Sequence, residues 1–142
     1  MPSFPYKPDP SNPSIPYCPI LNFQILDPVD PTNVVTSRDG LIDTGAGIST
    51  VTIDIIDALN ITPYKDVDLE FWSVTPGKKP QKLIITTYLY VIDIRVPGAT
   101  PEVVKESFAL FYEVIIGRNI LSCWEIILEK NYQHPSACFI IR

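Results

Sequence analysis

Apolar and polar residues alternate along most of this chain, with the two-residue period of strands whose faces differ in burial. The longest alternating runs are Val67 to Thr75 and Lys82 to Val96, separated by Pro76-Gly77-Lys78-Lys79-Pro80. Two such runs around a turn-rich tip predict a long β-hairpin. In its second arm Ile84, Thr86, Tyr88, Tyr90, Ile92 and Ile94 share one face. Ile20 to Leu26 reads as the first strand and Asn33 to Thr36 as a short return strand. Arg38-Asp39-Gly40 is a turn signal, and Leu41-Ile42 a buried strand end. Ser107 to Tyr112 and Val114-Ile115-Ile116 predict further strands, and Glu125 to Glu129 with Ala137 to Ile141 a C-terminal hairpin around Asn131. Helical spacing occurs at Thr52 to Asn60, where Ile53, Ile56 and Leu59 recur, Thr52 can cap and Pro63 follows. Asn119 to Cys123 predicts one more helical turn.

Composition strengthens the β reading. The 142 residues include 20 Ile, 11 Val and 10 Thr against 5 Ala, and β-branched side chains fit a pleated surface better than a helical turn. Seven of the fifteen prolines fall in residues 2–19, so 1–15 is expected to be an extended proline-rich arm and 16–142 a single domain.

Charge and cysteine count exclude several roles. With 11 basic and 16 acidic side chains the net charge is −5, the wrong sign for a nucleic-acid partner. No apolar stretch approaches the ~20 residues a membrane span needs. The proline-punctuated N-terminus lacks the apolar run of a signal peptide, so a cytoplasmic location is expected. Three cysteines, Cys18, Cys123 and Cys138, make an odd and widely spaced set that suits a reducing compartment. One histidine, His134, and no C-x-x-C leave neither a zinc site nor a Cys–His dyad, so no metal or cofactor is expected.

The chemistry concentrates in Leu41-Ile42-Asp43-Thr44-Gly45-Ala46-Gly47-Ile48-Ser49-Thr50. A carboxylate here follows two apolar strand residues and sits on a turn of small residues, which lets a second backbone or a substrate come close. Alone, Asp43 would be read as an aspartate accepting hydrogen bonds from its own turn. It is accompanied, seventy-odd residues later, by Val114-Ile115-Ile116-Gly117-Arg118-Asn119-Ile120-Leu121. In this pair of motifs, with a hairpin between them, the chain resembles the retroviral-type (retropepsin-like) aspartic proteases over roughly residues 16–142. The resemblance implies an all-β, retropepsin-like acid-protease β-barrel with a flap hairpin and one or two short helices.

It also implies an aspartic endopeptidase that is a homodimer. The chain has one Asp-Thr-Gly turn where two-lobed relatives have two, so the second aspartate would come from a second copy. Asp43 and its mate would share one proton and activate a water against a peptide bond. Thr44 would brace the partner's turn, Gly45 would present backbone to the peptide, and Ala46 and Gly47 would line the floor. Gly117, Arg118 and Asn119 would be structural, with Asn119 against the region of Ser49. Many viral members carry an acid after the alanine as a partner for the arginine. Gly47 stands here instead, so Arg118 needs another acceptor or is solvated.

Gly77 marks the tip of the expected flap, and Trp72 reaches over the cleft or else packs into core or interface. A tip with two prolines is stiffer than usual for the family, and its two lysines favour an acidic residue near the cut. The apolar residues of the C-terminal hairpin suggest a sheet shared between protomers. Phe4-Pro5 is a bond of the kind some members cut in self-processing. Two other readings remain: a catalytically silent retropepsin-fold module for dimerisation or peptide binding, and an unrelated monomeric β-sandwich with a coincidental turn.

Overall fold

The computed structural model describes residues 2–8, 17–73, 76–128 and 138–142. Residues 9–16 lie outside them, as do Val74, Thr75, and 129–137 with Glu129, Asn131, His134 and Ala137 of the expected C-terminal hairpin. The chain is mostly β, with two short helices.

Among the described residues, ten strands form two sheets. In chain order they are β1 (Ser3–Pro5), β2 (Ile20–Leu26), β3 (Val34–Ile42), β4 (Ser49–Val51), β5 (Lys65–Ser73), β6 (Gln81–Arg95), β7 (Val103–Leu110), β8 (Ile115–Ile116), β9 (Ile126–Leu128) and β10 (Cys138–Ile141). Helix α1 (Ile53–Leu59) follows β4, and α2 (Arg118–Leu121) follows β8. The larger sheet runs β2-β3-β8-β4-β7-β6-β5, and β2 also pairs with β6. The pairing therefore closes on itself through six strands and leaves β5 outside the circuit. Leu21, Phe23, Ile25, Ile94, Phe108 and Ile116 fill the interior and are fully buried.

The Arg38-Asp39-Gly40 turn is not there. All three residues lie within β3, which pairs antiparallel with β2 from Ile20↔Leu41 to Leu26↔Val34. Gly40 serves close packing: a Cβ there would sit 3.0 Å from Ile116, 3.1 Å from Phe23 and 3.2 Å from Val114. Leu41 and Ile42 do end the strand, each in parallel register with β8.

Helix α1 covers most of the expected stretch and buries Ile56 and Leu59 as expected, with Ile55 in place of Ile53. Ile55, Ile56 and Leu59 are inside, whereas Ile53 is 54% exposed. Thr52 occupies the N-cap without a side-chain cap bond, because its hydroxyl is hydrogen-bonded to the Asp54 carboxylate. Asn60 ends the helix in the left-handed region at φ 52°.

β5 and β6 make the expected hairpin, in register from Lys65↔Leu89 to Ser73↔Gln81. The single face of β6 changes character along its length: Ile84, Thr86 and Tyr88 are exposed, Tyr90, Ile92 and Ile94 buried. The change coincides with neighbours, since β7 pairs with β6 from Leu89 to Arg95.

The proline arm contributes structure of its own. Ser3–Pro5 pairs with β10, which pairs with β9, and Phe4 stacks on Phe139 at 5.2 Å. Spacing between prolines leaves Ser3 and Phe4 their N–H groups, enough for a three-residue strand. The Phe4-Pro5 bond is thus part of a paired strand. Cys123 is a free thiol.

Candidate active site

The first motif is the end of β3 and the turn after it. Asp43 donates its N–H to the Ile116 carbonyl at 3.0 Å, so the parallel β3–β8 contact fixes where the side chain starts. Its Oδ1 accepts the Gly45 N–H at 2.9 Å, and its carbonyl accepts the Ala46 N–H at 3.2 Å. The turn closes tightly because position 45 has no side chain: a Cβ there would lie 3.1 Å from Asp43 Oδ1.

The second motif is fastened directly to the first. Ser49 Oγ accepts the Gly117 N–H at 2.9 Å and donates to Asn119 Oδ1 at 2.8 Å. The same Oδ1 accepts the Ser49 N–H at 2.9 Å, while Asn119 Nδ2 donates to the Ser107 carbonyl at 2.8 Å. Asn119 therefore uses both ends of its amide to join three segments. Gly117 is required by contact, because a Cβ would fall 2.8 Å from the Ile48 backbone and 2.9 Å from the Ala46 carbonyl. Ser49, Gly117 and Asn119 are brought together as the motifs suggest.

Arg118 has an acceptor. Its N–H donates to the Ala46 carbonyl at 2.8 Å, and its guanidinium Nη1 donates to the Thr44 carbonyl at 2.9 Å. Gly47 makes room for this, since a Cβ there would stand 3.3 Å from Nη2. The missing acid and the arginine's new contact are two sides of one arrangement. Thr44 itself is exposed on the turn, its carbonyl held from below.

Above the turn is an open cleft of about 460 Å³. Its floor is Asp43, Gly45, Ala46, Gly47 and Ile48. One wall comes from β5 of the hairpin, Leu69 to Trp72, and the other from Phe111, Tyr112, Glu113 and Ile115. Trp72 lines the cleft and is 65% exposed, so it is not core. Gly77 is not brought to the cleft. It sits at the hairpin tip at φ +79°, with nothing within 4 Å of where its Cβ would be. Lys78 and Lys79 are exposed beside it and also lie outside the lining.

The wall at Phe111–Glu113 was not marked by any motif. Phe111 packs against Tyr112 at 4.1 Å and edge-on to Phe71 at 5.5 Å, bridging the strand end to the hairpin. The signal available was proximity in sequence: these residues immediately precede Val114-Ile115-Ile116-Gly117, whose pairing carries them to Asp43. Thr50 Oγ1 fixes the segment by donating to the Glu113 carbonyl at 2.7 Å.

Neither protein-family models nor curated proteins return a match to this chain. The site is therefore argued on its geometry. It offers one carboxylate on a braced turn, an open groove above it, and aromatic walls. Such an arrangement suits an extended peptide laid across a proton-transferring group.

Proposed function

We propose that the chain is an aspartic endopeptidase that acts as a homodimer of retropepsin-like protomers. The observation that supports this most is the position of Asp43: a carboxylate at the floor of an open cleft, on a turn knitted to the Gly117-Arg118-Asn119 segment. Two such turns meeting on a two-fold axis would put the carboxylates about 3 Å apart, close enough to hold one proton between them. The ionised member takes a proton from a water lying between the two as that water attacks the peptide carbonyl. The protonated member donates to the carbonyl oxygen, and protonation of the nitrogen then releases the amine. Thr44 sits on the exposed side of the turn, where its hydroxyl reaches the partner's turn. The β5–β6 hairpin serves as the flap over bound peptide. The reaction calls for no metal or cofactor.

The dimer finds support at β9, an edge strand of the smaller sheet, where Ile127 and Leu128 are 37% and 44% exposed. Pairing with a second copy would cover them. The other edge, β1, carries Pro5 and is less able to extend a ladder. Among the described residues no helix is long and apolar enough to cross a membrane. A free thiol at Cys123 is in keeping with the proposed cytoplasmic location.

The test is digestion of a diverse peptide library by wild type and Asp43→Asn, from mildly acidic to neutral pH, at several protein concentrations. Cuts by wild type should rise in specific activity with dimer formation and drop by about 10⁴-fold or more in Asp43→Asn. Wild-type cuts that survive the substitution would remove Asp43 from the chemistry. A dimer that binds peptides in this cleft yet cuts none would make the chain a silent peptide-binding module.

A further inference from the structure

Among the described residues, the carboxylates lining the cleft outnumber the cations beside it: Asp43 on the floor, Glu70 on the hairpin wall and Glu113 on the opposite wall, with the Arg118 guanidinium bordering the floor at Gly47. Glu70 is partly answered by Lys82 at 2.9 Å, but both side chains are at least half exposed and such a pair is readily exchanged for another partner. The two tip lysines, which suggested a taste for acidic peptides, do not reach the lining. A groove with low-dielectric walls and an excess of one sign of charge concentrates the opposite sign inside it.

The walls beside these carboxylates are aromatic and open. Tyr112 is 70% exposed and Trp72 65%, and both line the cleft along with Phe71 and Phe111. Ring faces next to a carboxylate suit a long cationic side chain, whose methylene stem lies on the rings while its head meets the charge. Glu113 is the better placed of the two glutamates. It is half-buried, and the Thr50 hydroxyl holds its backbone carbonyl, which anchors the point from which the side chain starts.

We propose that the cleft selects peptides carrying a lysine or arginine, with Glu113 as the specificity-determining residue, Glu70 assisting and Tyr112 and Trp72 bearing the stem. This rests on the reading of the cleft as a peptide site. It goes beyond that reading by naming the charge of the side chain taken.

The experiment uses one apolar peptide scaffold in which each position in turn is arginine, lysine, norleucine or glutamate. Wild-type kcat/KM is measured in competition, and binding is measured separately by anisotropy of labelled peptides on Asp43→Asn. At one position or more, arginine and lysine should exceed norleucine by about tenfold, and glutamate by more. Glu113→Gln should bring the arginine-to-norleucine ratio towards one, Glu113→Lys should turn the preference to glutamate, and Glu70→Gln should lower the ratio less. Added salt should narrow the wild-type ratio with no substitution at all, which covers any variant that fails to fold.

A wild type that prefers norleucine or glutamate at every position overturns the inference, as does a ratio that Glu113→Gln and salt both leave unmoved. If neutral peptides are cut with no cationic preference, this inference fails while the peptidase reading stands. If nothing is cut but Asp43→Asn binds cationic peptides selectively, the peptidase reading fails and this one stands. No binding and no cleavage overturns both.

Discussion

The floor and the roof of the cleft are built on opposite terms. On the floor, Asp43 begins from a strand pair, and Ser49, Gly117 and Asn119 exchange three hydrogen bonds between segments some seventy residues apart, while a fourth ties Asn119 to the Ser107 carbonyl. There is no slack, since even a methyl group on Gly117 would meet backbone at 2.8 Å. On the roof, the outer hairpin is a two-stranded ribbon, with Trp72, Ile84 and Tyr88 exposed and open space around its tip. Two-stranded ribbons are marginal on their own, while buried, fully satisfied networks hold one geometry. The contrast teaches that this chain fixes the position of a single carboxylate and leaves adaptable whatever closes over it.

The contrast breaks most sharply at Gly117. Gly117→Ala forces a backbone shift at the junction of both motifs and should lower stability by about 4 kcal/mol, read from the denaturant midpoint. Asn119→Ala should follow at about 3 kcal/mol, because it leaves the Ser49 N–H, the Ser49 hydroxyl and the Ser107 carbonyl without their partner. Trp72→Ala, on the roof, should change stability by less than about 0.5 kcal/mol while weakening peptide binding. A loss of stability there comparable with Asn119→Ala would show that the roof is built like the floor.

The smallest effect lies away from both. The Thr52 hydroxyl, followed by Arg38, holds the Asp54 carboxyl below its ordinary value of 3.8. A carboxyl depressed in the folded state stabilises fully above its unfolded pKa and loses that contribution as pH falls through the folded one. The Arg38–Asp54 contact is exposed, so wild type should exceed Asp54→Asn by only a few tenths of a kcal/mol near neutral pH, and acid titration should remove that difference below pH 3.8.

Much of this floor was legible in the sequence. Asp43, Ser49, Gly117 and Asn119 could be paired because two short motifs, taken together, resemble those of the retropepsin-like proteases. The hairpin followed from its alternation and its Pro-Gly tip. Gly40 misled, because a glycine required by side chains of a neighbouring strand looks the same in sequence as one required by a turn. Ile53 misled for a related reason: a seven-residue helix offers too few turns for its spacing to choose the buried face. Phe111, Tyr112 and Glu113 belong to no motif, and their one signal is that they immediately precede Val114-Ile115-Ile116-Gly117. Only the passage of the chain from β7 into β8 brings them over Asp43. The acceptor of Arg118 was hidden likewise, being a backbone carbonyl that no side-chain pattern records.

One strand belongs to both halves of the contrast. Gln81–Arg95 runs unbroken from the tip of the hairpin to the buried interior. Its inner length is gripped by β7, and near the grip the Thr87 hydroxyl is bonded to the Leu110 carbonyl at 2.8 Å while Leu89 is buried. In mechanical terms it is a cantilever, clamped at Leu89 and loaded at the far end. Bending moment in such a beam is greatest at the clamp, so the rigidity of the whole arm is set by a few residues at its root, far from anything a peptide touches.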